Sequence, residues 1–156
     1  MVKNSMYNSY KTANVNTTDQ GKLIVICYDV AIKACTQAKE LLAEKKIVEK
    51  SKKIYKAQDA ITELMVSLNM EKGGAFAKRL FALYDYFNWR LSEANIKLNT
   101  AMIEEVMRHL KSLRDAWVVA AEKVRKDTHA PMVAPALATA AASSDTGKAF
   151  SLRLVG

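Results

Sequence analysis

From Thr17 to Val124, apolar residues recur at steps of three and four, the period of helices with one side turned inward. The first such segment opens at Thr17-Thr18-Asp19-Gln20, where Thr17 and Gln20 have the spacing of a capping box. Leu23, Cys27, Val30, Ala34, Ala38 and Leu41 form its stripe, and Ile24, Tyr28, Ala31 and Cys35 form a second stripe beside it. A helix apolar over so wide an arc must be covered on more than one side. A second helix is predicted near Ile47–Leu68, with a seam at Ile54, Ala57, Ile61, Leu64 and Leu68. Residues 69–74 break the pattern, and Gly73-Gly74 gives the backbone freedom for a turn. A third is predicted near Ala75–Leu98 (Phe76, Leu80, Leu83, Phe87, Leu91, Ala94, Leu98). The fourth starts at Thr100 as N-cap, with Glu104 and Glu105 in its first turns, where the helix dipole favours anions. Its seam is Ile103, Val106, Leu110, Leu113, Trp117, Ala120 and Val124.

The connections are short, so neighbouring helices run antiparallel. Only 5 glycines and 2 prolines occur in 156 residues, too few for the tight turns of an all-β fold. The fold class is therefore all-α: an antiparallel four-helix bundle over 17–127, with an extended N-terminal arm (1–16) and a flexible C-terminal tail (128–156). Both prolines and an Ala/Ser-rich tract lie in the tail, which reads as disordered. Its last segment, from Phe150 to Val155, is apolar enough to dock on the bundle.

Charge widens the field of partners. The net charge is +8, and Lys45, Lys46, Lys50, Lys52, Lys53 and Lys56 form one run with only Glu49 among them. Such a balance raises nucleic acid, an anionic membrane or an acidic partner. The run lacks the arginines and aromatics that grip bases, and reads as a solvated surface. No stretch approaches the 18–20 or so apolar residues that cross a bilayer. The first 16 residues lack the apolar core of a signal peptide. Cys27 and Cys35 lie eight apart on one helix, about 12 Å along its axis, too far for a disulfide. Two free thiols fit a reducing compartment, and the expected location is the cytoplasm.

Catalytic chemistry finds no support. A di-metal bundle site needs two Glu-x-x-His pairs, whereas the chain has only His109 and His129, and His109 reads as a surface residue. The cysteines have no second Cys/His pair for zinc, and Gly73-Gly74 is not a phosphate loop. No enzyme, cofactor or metal is expected. Rings in unusual places stand out instead. The run Tyr84-Asp85-Tyr86-Phe87-Asn88-Trp89 puts rings around most of a helical turn, too many for one inward stripe. Some of them, with Tyr84 and Tyr86 as candidates, can line a groove for a partner's apolar residues.

These residues carry a family pattern. Tyr10, Val15 and Thr17, then Lys22-Leu23-Ile24-Val25-Ile26-Cys27-Tyr28-Asp29, resemble the N-terminal pattern of the FliS family of flagellin secretion chaperones. Lys56-Ala57-Gln58-Asp59-Ala60-Ile61 with Glu63-Leu64 is similar to its second-helix motif. Leu83-Tyr84-Asp85-Tyr86-Phe87 with Arg90-Leu91 and Glu93-Ala94-Asn95 resembles the third, and Glu104-Glu105-Val106 through Arg114-Asp115-Ala116-Trp117 the fourth. The chain departs at Val30, where the family commonly has glycine, and at Trp89, where it commonly has arginine.

The resemblance implies a non-enzymatic export chaperone. It implies binding of the C-terminal segment of flagellin in the cytoplasm, prevention of premature polymerisation, and delivery of the cargo to the flagellar export gate. It also implies that the N-terminal segment covers part of the cargo surface when no cargo is present. On that reading Ile24, Tyr28 and Ala31 wall the groove, and Tyr7, Tyr10 and Val15 plug it. Nucleic acid and membrane insertion are not expected. The alternatives are a basic helical adaptor that binds nucleic acid through the lysine run, and a structural four-helix homodimer without a client.

Overall fold

The structure is a computed structural model that describes residues 17–127. Tyr7, Tyr10, Val15 and the tail from Thr128 lie outside the described residues. Four α-helices account for nearly all of the rest: α1 (Thr17–Ala43), α2 (Ile47–Val66), α3 (Met70–Lys97) and α4 (Thr100–Lys126). The all-α antiparallel bundle read from the apolar period is the architecture found. The described residues fall into two compact units.

One unit comprises residues 26–67 and 82–114 and contains parts of all four helices. Its pairings run in opposite senses along the chain. Asp29, Thr36 and Lys39 on α1 meet Arg114, Met107 and Glu104 on α4. Ser51 and Gln58 on α2 bond to Asn95 and to Asn88 and Ser92 on α3. The core is built from the predicted seams: Ile54, Ile61 and Leu64 of α2, Phe87 and Leu91 of α3, and Ile103, Val106 and Leu110 of α4 are all buried. Each contributes about 1.5–3 kcal/mol by leaving water. On α1 the buried positions from Ala31 onward are small, Ala31, Ala34, Cys35 and Ala38, whereas Tyr28 fills more of the core.

Both turns of this unit end a helix with a residue in the left-handed region: Lys45 (φ 60°) after α1 and Leu98 (φ 52°) after α3. Lys45 and Lys46 donate their backbone N–H groups to the Leu42 and Leu41 carbonyls, and Asn99 donates to Ala94. These bonds close the last carbonyls of each helix in the Schellman manner. Leu98, expected on the buried seam of α3, therefore lies in the turn and is exposed. The cap of α4 is also one residue earlier than expected: the Asn99 side chain accepts the Met102 N–H at 3.1 Å, and Thr100 is the first helical residue.

The other unit contains the described parts of 17–25, 68–81 and 115–127. Leu23, Ala77, Leu80 and Val124 are its buried apolar residues, and Trp117 is half-buried on α4. The break predicted over 69–74 is shorter than expected. Asn69 caps a helical turn by accepting the Lys72 N–H at 2.8 Å, and α3 then bends at Gly74. Gly74 has φ 52° and ψ −136°, a conformation open in practice only to glycine. The bend brings Gly73 against Ala77, so that a Cβ on Gly73 would lie 2.5 Å from the Ala77 Cβ.

Candidate partner-binding surface

The aromatic cluster of α3 divides between core and surface according to its phase around the helix. Tyr84 and Phe87 face inward and are buried, as are Tyr28 and Ala31 on α1. The Tyr28 and Tyr84 hydroxyls bond to each other, with ring centroids 6.3 Å apart. Burial holds the Tyr84 hydroxyl well above the ordinary phenol range. Tyr28, Ala31 and Tyr84 are thus all buried in this structure. A buried tyrosine needs a partner for its hydroxyl, and here each supplies the other. Ile24, in the other unit, is half-buried.

Tyr86 faces out. Its ring lies 5.8 Å from that of Trp89, which is 52% exposed, and 6.3 Å from that of Phe87. The Tyr86 hydroxyl donates to Glu105 Oε2 at 2.6 Å, and Arg90 Nε donates to Glu105 Oε1 at 2.7 Å. One carboxylate on α4 therefore fixes two side chains of α3. The Tyr86 hydrogen bond, aided by Arg90, keeps the Glu105 carboxyl below the usual carboxylate range despite partial desolvation. His109, one turn beyond Glu105, is exposed on its outer side and stacks at 5.8 Å on Phe87. Exposed rings held in one orientation lose little entropy when a partner packs on them.

A second exposed apolar line runs along α2: Val48, Tyr55 and Val66, with exposures of 66%, 56% and 68%. Their spacings of seven and eleven place them on one face. Polar contacts form the seam between α2 and α3. Gln58 Nε2 donates to Asn88 O (2.9 Å) and Ser92 Oγ (2.8 Å), and Asn88 Nδ2 donates to Thr62 Oγ1 (3.2 Å). The buried Asn88 Oδ1 accepts no hydrogen bond. This surface offers apolar ridges for a partner's helix, separated by groups that can hydrogen-bond. The sequence signal for Tyr55 and Trp89 was available, because both fall outside the apolar seams of their helices.

The lysine run is not uniformly a solvated surface. Lys50 is buried, and its ammonium donates to the Asn95 carbonyl at 3.0 Å and to the Asn95 side-chain oxygen. Burial lowers its pKa. Both cysteines are buried thiols, and burial pushes Cys35 up to about 12, so packing and not chemistry is their role. Among the described residues no cluster of His, Cys, Asp and Glu could hold a metal ion. No described helix is long and apolar enough to cross a membrane.

Comparison with known proteins agrees with this picture. The family model described as "Flagellar protein FliS" matches residues 3–124. The flagellar secretion chaperone FliS of Bacillus subtilis (strain 168) is 34% identical over 123 residues, covering 79% of this chain and 91% of that protein. The chaperone of the same name from Campylobacter jejuni is 31% identical, covering 75% and 91%. That of Salmonella typhimurium is 36% identical over 97 residues, covering 62% and 72%.

Proposed function

The chain belongs to the FliS family of flagellar proteins, and from that premise we propose that it is an export chaperone whose cargo is the C-terminal segment of flagellin. Its work is binding, as befits a family of chaperones and not of enzymes. The observation that supports a cargo surface best is the exposed Tyr86–Trp89 ring pair, in which Glu105 holds Tyr86. A flagellin segment that stays unfolded as a monomer is an apolar helix former, and it folds only when its apolar face is covered. Helix-in-groove recognition supplies that cover with anchors at helical spacing. The ridges on α2 and α3 suit such anchors.

Binding in the cytoplasm keeps the segment from polymerising early, and the loaded chaperone presents the cargo to the flagellar export gate. In the free protein the N-terminal arm, through Tyr7, Tyr10 and Val15, occupies cargo surface and is displaced on loading. Calorimetry of the full chain against flagellin tests the reading. Full-length flagellin should bind with a clearly negative heat-capacity change, the marker of apolar burial. Trp89→Ala should weaken binding about 10- to 100-fold, as for an interface anchor. Equal affinity for flagellin lacking its C-terminal segment would overturn the proposal.

A further inference from the structure

Two adjacent glutamates on α4 are put to different uses. Glu104 pairs with Lys39 of α1 at 2.8 Å, a contact of charge with charge. Glu105 gives one oxygen to Arg90 of α3 at 2.7 Å and the other to the neutral Tyr86 hydroxyl at 2.6 Å. Tyr86 and Arg90 are one turn apart on α3, so a single carboxylate reaches both from across the α3–α4 seam. The Tyr86 ring is thereby held at its tip and on its sides. Its hydroxyl is tied to Glu105, and its ring lies 6.3 Å from that of the buried Phe87 and 5.8 Å from that of the exposed Trp89. Phe87 is in turn stacked on His109, one turn beyond Glu105, so the support beneath Tyr86 closes on the same helix that ties its hydroxyl. We infer that Glu105 is a positioning residue for cargo: it is no anchor itself, but sets the Tyr86 ring, beside Trp89, in the orientation that a partner's apolar side chain meets. The inference rests on the cargo reading proposed above.

Stability alone gives little reason for this arrangement. Tyr86 is 37% exposed, and water would satisfy its hydroxyl as well as Glu105 does. Arg90 and Glu105 are both partly in solvent, and an ion pair of that kind adds little to folding. The core beneath them, with Phe87, Leu91, Val106 and Leu110 fully buried, does not depend on the carboxylate. What the bond changes is the freedom of the ring. A tyrosine side chain has two torsions, and tying the far end of the ring restrains both. A ring fixed in the free protein loses less entropy on docking than one that only the partner fixes. The state of Glu105 suits this role. Its carboxyl, held below the usual carboxylate range, stays ionised at neutral pH and so offers acceptors to Tyr86 and Arg90 together.

Calorimetric titration of the full chain with flagellin, alongside urea unfolding, tests this. Glu105→Ala should bind about three- to tenfold more weakly, the effect of one side chain ordered by the partner instead of in advance. Its urea midpoint should stay close to that of wild type. Tyr86→Phe keeps the ring but loses the tie, and should weaken binding by a similar factor. The double variant should bind no more weakly than either single one, because both changes cut the same link. Glu105→Gln, whose amide can still bond the hydroxyl without the charge, should recover most of the loss. With meta-fluorotyrosine in the chain, the fluorine resonance of Tyr86 is assigned by its disappearance in Tyr86→Phe. In Glu105→Ala without flagellin it should move toward the position of an unfolded tyrosine. Full affinity in Glu105→Ala, while Trp89→Ala still weakens binding, would overturn the inference and leave the cargo reading standing. Additive losses, or Glu105→Gln as weak as Glu105→Ala, would make the carboxylate a direct contact of the cargo and overturn it too. Binding indifferent to the C-terminal segment of flagellin strikes at the cargo reading, whereas an unmoved fluorine resonance, taken without flagellin, strikes at this inference alone.

Discussion

Removing the Asn95 side chain should cost far more than removing the lysine it serves. Lys50 is 1% exposed, and its ammonium rests on the Asn95 main-chain and side-chain oxygens, while Ser51 Oγ donates to the same side-chain oxygen at 2.9 Å. Asn95→Ala deletes one of the two acceptors of a desolvated charge and also leaves Ser51 without this bond. A hydrogen bond to a charged group is worth about 1.5–3 kcal/mol, so with the hydroxyl the expected loss is about 2–4 kcal/mol. Lys50→Met removes the charge together with its need for acceptors and keeps similar bulk, and should shift stability by only about 1 kcal/mol either way. In the Lys50→Met background, Asn95→Ala should then cost about 1 kcal/mol, giving a coupling of about 1–3 kcal/mol. Urea unfolding followed by helical circular dichroism measures all four proteins, with the midpoints compared at constant slope. The pH dependence adds a second test. Burial lowers the Lys50 pKa from its ordinary 10.5, so in the alkaline range the unfolded chain binds more protons than the folded one. The cost of burying the charge is full below the folded pKa and is relieved as pH rises through that value toward 10.5. Wild type should therefore gain stability relative to Lys50→Met as the pH rises toward 10.5. Additive losses with a flat pH difference would show that the ammonium is hydrated, and the reasoning would fail.

Three further outcomes follow from the packing. Tyr28→Phe strands the Tyr84 hydroxyl and should cost about 1–3 kcal/mol, whereas adding Tyr84→Phe should recover part of that loss; both are read from denaturant midpoints. Gly74→Ala forces a Cβ into a left-handed conformation and should destabilise by more than about 1 kcal/mol, with Gly73→Ala comparable through its clash with Ala77, each measured by thermal unfolding. The thiols of Cys27 and Cys35 should resist a thiol reagent in the folded protein at mildly alkaline pH and react together in denaturant, while rapid labelling of either thiol under native conditions would contradict their burial.

The helices and their seams were legible because burial imposes a period on the chain: Val106, Leu110, Ile61 and Leu91 sit where that period puts them. Helix ends were read to within a residue or two, and Asn99 in place of Thr100 shows how a neighbouring polar residue can take the cap. The hydroxyl pair of Tyr28 and Tyr84 was not legible in the sequence, because its two members lie 56 positions apart. Lys50 hid inside a lysine run, although it stands one turn before Ile54 on the same buried side. Trp89 was noticed as a departure from the family pattern, but its pairing with Tyr86 needed the helix phase and Glu105 across on α4.

The two tryptophans, Trp89 and Trp117, fall one in each compact unit. Trp89 is half in solvent and Trp117 is half-buried, so their emission spectra start from different colours. Replacing either one with phenylalanine leaves a single fluorophore that reports on one unit alone. Red shifts with the same midpoint in both variants would mark one cooperative melt, and separated midpoints would mark two. In the Trp117→Phe protein, a partner that settles on the exposed ring should also turn the Trp89 emission blue, which makes loading visible by intrinsic light without any label.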